Sequence, residues 1–81
     1  MRPSDGTEPA AVDRAVGRQI RRIRRERGFT QRNLAIAAKI SIVTIRAYEL
    51  GRLRVPPERL AAIAEILKTR VSAFFIEDRD R

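Results

Sequence analysis

Cysteine, histidine and tryptophan are all absent from this 81-residue chain. Without cysteine there is neither a disulfide nor a thiolate metal site. The lack of histidine removes the commonest general base and the commonest metal ligand, and the lack of tryptophan removes the usual base-stacking platform. The remaining carboxylates are scattered among arginines, with no nucleophile, base or metal set, so the sequence points to no enzyme and implies no cofactor. Hydrophobic runs are short. None approaches the roughly 18 apolar residues of a membrane span, and the start of the chain lacks a signal peptide's apolar stretch, so a cytoplasmic, nucleoid-associated protein is expected. The length fits one compact domain.

The excess is in arginine: 16 Arg and 2 Lys stand against 10 acidic residues, for a net charge of +8. Residues 14–32 alone hold eight arginines against the single Glu26. Guanidinium groups favour planar, bidentate partners such as phosphate and guanine, so the leading partner is a polyanion.

Residues 1–11 and 77–81 have the composition of charged tails, which leaves residues 12–76 as the folded domain. The first helix runs from Val12 to Arg27, with Val12, Val16, Ile20, Ile23 and Arg27 on one stripe and Arg14, Arg18, Arg21, Arg22 and Arg25 opposite. Gly28 stops it and Phe29 turns back toward the core. Thr30 is an N-cap, with Asn33 at the third helical position in place of the usual Glu or Gln, and a short helix over about 31–38 buries Leu34, Ala35 and Ala38. Lys39 and Ile40 interrupt it. Ser41 caps a third helix over about 42–50 with Ile45 and Tyr48 facing inward, and Gly51 ends it. Two short helices joined by so tight a turn have helix-turn-helix geometry. A basic loop, GRLRV, leads to Pro56 and Pro57 and a fourth helix with the stripe Leu60, Ile63, Ala64 and Leu67. Ser72 is a third candidate N-cap, for a short last turn or helix over Ala73 to Ile76 bearing Phe74 and Phe75. The expected class is all-α, five short helices.

The segments Gly28-x-Thr30-Gln31 followed by Leu34-Ala35, and Ser41-x-x-Thr44-Ile45 followed by Tyr48-Glu49-x-Gly51, together resemble the lambda-repressor and Cro-type helix-turn-helix (XRE) family over residues 16–75. The resemblance implies a sequence-specific regulator of transcription, a repressor, that reads the major groove of double-stranded DNA with its third helix. It also implies a homodimer on a palindromic operator, with half-sites about one helical turn apart. By position, base contacts fall to Arg46, Thr44, Val43, Ile42 and Ala47, and phosphate contacts to Thr30, Gln31, Arg32, Arg52 and Arg54. The resemblance further implies a structural ion pair between Arg24 and Glu49, and the dimer face is expected from Ile66, Phe74, Phe75 and Ile76. No small-molecule ligand is evident.

Physical chemistry supports several of these roles. Ala35 must be small where the second and third helices cross, and the start of the second helix offers free N–H groups to phosphate. Arg46 suits guanine O6 and N7. Most arginines on the back of the first helix act through long-range field. Two alternatives stay open for side chains: Ile42 reads bases or turns inward, and the two phenylalanines serve core or interface. Lys39 and Lys68 replace glycines of the family at left-handed caps. Ile42, Val43 and Ala47 replace its polar base readers, which leaves a rival reading: a protein-binding module on the same fold, such as an antitoxin or anti-activator.

Overall fold

A computed structural model describes residues 11–76. Four α-helices follow in order: α1 (Ala11–Glu26), α2 (Gln31–Ala38), α3 (Ile42–Glu49) and α4 (Pro57–Leu67). A 3-10 turn over Val71–Phe75 takes the place of the expected fifth helix. The turn starts after Arg70, whose carbonyl accepts from the Ala73 N–H at 3.0 Å, so Ser72 lies inside the turn and is not its cap. In a 3-10 turn residues three apart eclipse, which brings Val71 and Phe74 to one side and lets Phe74 reach the core. α1 begins at Ala11, one residue inside the expected tail. The rest of that tail and residues 77–81 lie outside the described residues.

The local signals act as the sequence suggests. Thr30 Oγ1 accepts from the Asn33 N–H at 2.9 Å and Asn33 Oδ1 accepts from the Thr30 N–H at 3.4 Å, a complete capping box. Ser41 Oγ accepts from the Thr44 N–H at 3.1 Å. Lys39 and Lys68 both adopt left-handed backbone, with φ of 59° and 58°, at the ends of α2 and α4. Pro57 fills the first position of α4, where no N–H is needed.

α1 lies against α3 and the 3-10 turn, and α2 packs on α3 and α4. Between them Ile20, Leu34, Ile45, Ile63, Leu67 and Phe74 are fully buried. Phe74, for which core and dimer face both stood open, is therefore a core residue at 0 % exposure. Burying such a ring is worth about 1.5–3 kcal/mol, which a five-residue turn needs to stay docked. Val12 stands half exposed instead of continuing the apolar stripe. Ala38, expected buried, is half-buried, and Arg27 is exposed, yet its Nε donates to the Leu67 carbonyl at 2.8 Å, satisfying the end of α4. Among the described residues no helix is long and apolar enough to cross a membrane.

Two glycines set the distance between α1 and the end of α3. A Cβ at Gly17 would fall onto the Tyr48 carbonyl oxygen and within 2.7 Å of that of Glu49. From the other side, Gly51 has φ of 75° and a Cβ there would sit 2.6 Å from Arg14 Cα. Main chain thus touches main chain at both points.

Candidate nucleic-acid interface

The close approach at Gly17 brings Arg24, two turns further along α1, beside the last residue of α3. Arg24 Nε donates to Glu49 Oε2 at 2.6 Å and its Nη2 to Oε1 at 3.2 Å, while Nη1 donates to the Phe29 carbonyl at 2.8 Å. Both side chains are over nine-tenths buried. The pair joins α1, the start of α2 and the end of α3 at one point. Such a pair adds little net stability, but either partner alone would be a stranded charge.

The same carboxylate reaches α2. Gln31 Nε2 donates to Glu49 Oε1 at 3.0 Å, and Gln31 Oε1 accepts from Arg46 Nε at 3.2 Å. A chain of four side chains, Arg24, Glu49, Gln31 and Arg46, runs from the interior to the exposed face of α3. It floors a depression of about 750 Å³ bordered by Arg21, Arg25, Thr30 and Leu50. The helical periodicity puts Arg21 and Arg25 on the back of α1, yet they border the face that holds Arg46. Neither has a side-chain partner among the described residues.

The remaining candidate base contacts separate. Val43 is 69 % exposed and Arg46 is exposed, so both project outward from α3. Ala47 is half-buried. Thr44 is also half-buried, and its hydroxyl lies 3.0 Å from that of Ser41, within the cap. Ile42 is partly buried against the core, the inward alternative.

Among the candidate phosphate contacts, Arg32 and Arg52 are exposed with no side-chain partner among the described residues. Thr30 and Gln31 stand at the start of α2, where the N–H groups of Gln31 and Arg32 lack helical partners. Arg54 is not free: its Nε donates to Asp13 Oδ1 at 3.2 Å, which draws it toward the start of α1. At the other end of the molecule Phe75 and Ile76 are 53 % and 59 % exposed and Ile66 is half-buried.

Sequence reasoning misses several positioning residues. Gly17 is one; a glycine in mid-helix costs about 1 kcal/mol in propensity, and that cost is the available signal. Buried Gln19, whose Oε1 accepts from Arg22 Nε at 2.9 Å, is another. Arg59, which donates to the Tyr48 hydroxyl at 2.9 Å and ties α4 to α3, has no local signal at all.

Comparison with known proteins agrees with this architecture. A profile described as helix-turn-helix domain matches residues 15–72. An HTH-type transcriptional regulator of Sinorhizobium medicae is 39 % identical over 88 % of this chain and 50 % of its own length. The chain spans about half the length of the curated relatives it matches. The crystal structure of the clp gene regulator ClgR from C. glutamicum superposes with a TM-score of 0.76 at 31 % identity, over 80 % of this chain and 84 % of that one. SinR, a master regulator for biofilm formation solved in complex with DNA, shares the fold with a TM-score of 0.70 at 21 % identity, over 75 % of this chain and 98 % of its own. On the profile match and the ClgR likeness, the chain belongs to the helix-turn-helix family, in the lambda-repressor and Cro-type class.

Proposed function

We propose that this domain binds double-stranded DNA sequence-specifically as a transcriptional repressor, with α3 in the major groove and two copies on a palindromic operator. One observation supports the reading above the others. The inner side of α3 is fixed by Gly17 and the Arg24–Glu49 pair, while its outer side, with Val43 and Arg46, stands open between arginines that have no side-chain partner among the described residues. A rigid helix flanked by positive charge suits a groove about 12 Å wide between two phosphate backbones.

In this arrangement the free N–H groups of Gln31 and Arg32, with the Thr30 hydroxyl, meet one phosphate strand. Arg32 and Arg52 add charge, and Arg54 joins them by releasing Asp13. Arg46 reads guanine, and Val43, with part of Ile42 and the Ala47 methyl, contacts thymine methyl groups. Thr44 reaches bases only by giving up its bond to Ser41. Phe75, Ile76 and Ile66 supply the contact between the two copies. The whole acts in the cytoplasm, on the nucleoid, without a cofactor, and the matched relatives, named as regulators of transcription, support this class of activity.

Selection of bound genomic fragments at two salt concentrations tests the proposal. The expected product is a palindrome with half-site centres about 34 Å apart, guanine near Arg46 and thymine steps opposite Val43. Exposed Val43 and Leu50 would instead suit a protein partner, the antitoxin or anti-activator reading. No binding at low salt, with Arg46→Ala silent, would sink the DNA reading and leave that alternative.

A further inference from the structure

The Gln31 amide has one permitted orientation. A carboxylate only accepts hydrogen bonds, so the NH2 end of Gln31 must face Glu49, at 3.0 Å. Its oxygen is thereby turned outward to the Arg46 Nε, at 3.2 Å. Glu49 cannot yield easily, because Arg24 holds both of its oxygens from within the core. One of the two amide N–H donors of Gln31 is thus committed to Glu49, and its oxygen is committed to Arg46.

We infer that Gln31 is a positioning residue for Arg46, and that the relay from Arg24 through Glu49 and Gln31 presents Arg46 to guanine. This deepens the DNA-binding reading above and rests on it. An arginine carries one Nε and two terminal nitrogens in a planar fork. Gln31 holds the Nε. The two terminal nitrogens have no partner elsewhere among the described residues, and they are the pair that matches guanine O6 and N7 end-on. The bond to Gln31 thus survives guanine binding and limits the swing of a long side chain before it. Adenine in the same place presents an amino group where guanine presents O6, and a fork held at its base cannot turn away to avoid it. The charges agree with this role. Glu49 cancels Arg24, so the four side chains retain one positive charge, delivered at the exposed end of Arg46.

The test uses the full chain, the selected operator and a second duplex with the guanine opposite Arg46 changed to adenine, in competition gel shifts across a salt series. The wild type should prefer the guanine duplex by about tenfold or more. Gln31→Leu, or Gln31→Asn if the leucine variant folds poorly, should shrink that preference at least threefold. Its affinity for unrelated DNA and the slope of log affinity against log salt should stay unchanged, since every phosphate remains bound as before. In an Arg46→Ala background the same substitution should change nothing further, because both residues serve one base. If Gln31→Leu instead weakens both duplexes equally, or adds its full effect to Arg46→Ala, Gln31 is an independent phosphate ligand and the inference fails. If the wild type binds neither duplex, the DNA reading itself fails, a separate outcome.

Discussion

Arg24 and Arg21 stand less than one turn apart on α1, yet they occupy opposite environments. Arg24 is 7 % exposed and makes three hydrogen bonds, two to Glu49 of α3 and one to the Phe29 carbonyl in the loop before α2. Arg21, like Arg25 and Arg18, is exposed and without a side-chain partner among the described residues. The same residue type is thus a fixed joint on one edge of the helix and free charge on the next. What separates them is the neighbour: Arg24 meets the Glu49 carboxylate and the Phe29 carbonyl, whereas Arg21 has no such acceptor among the described residues. A count of arginines weights both equally, and so overstates how many act through direct touch and understates what one of them does for the fold.

The comparison breaks most directly at Arg24. Arg24→Ala leaves Glu49 buried with only Gln31 as partner and should cost about 3–5 kcal/mol in urea or thermal unfolding, whereas Arg25→Ala should stay within about 0.5 kcal/mol. Equal small effects for the two would mean that the buried pair fixes nothing. A smaller effect is expected at Gly17. On an exposed helix glycine to alanine stabilises, but here the methyl group meets the Tyr48 carbonyl, so Gly17→Ala should destabilise by about 1–3 kcal/mol. A gain in melting temperature would show that α1 can shift away from α3 freely. The free arginines carry the smallest effect, visible only in binding. Replacing Arg21 and Arg25 by alanine should lower the salt slope of DNA affinity by about 0.9 for each phosphate that they neutralise, while Arg18→Ala, which does not border the depression beside Arg46, should leave it unchanged. Identical slopes for all three would return Arg21 and Arg25 to long-range steering.

What can be read from the sequence follows the range of each signal. The Thr30 and Ser41 caps act over three residues and are visible in a short window; the left-handed backbone at Lys39 and Lys68 is marked only by the glycines that the resembling family carries there. The family resemblance supplies the Arg24–Glu49 partnership, which spans 25 positions and has no local mark. Interactions outside both sources escape a reading of the chain. The Arg54–Asp13 and Arg27–Leu67 bonds bridge 41 and 40 positions, and neither partner looks unusual in its own segment. Phe74 and Phe75 are adjacent and identical in type, and only the 3-10 geometry decides that the first is buried and the second exposed. The cap signal puts Gln31 at the start of α2, but which end of its amide faces outward depends on Glu49, 18 residues away.

The paired glycine approaches have a consequence for redesign. At its C-terminal end α3 is fastened to α1 by backbone against backbone, so its tilt and depth owe nothing to the side chains along its open face. Val43 and Arg46 can therefore be exchanged as interchangeable tips on a mount that does not turn with them. A library randomised at those two positions would vary chemistry while holding pose constant, and the differences among its members would report side-chain preference alone.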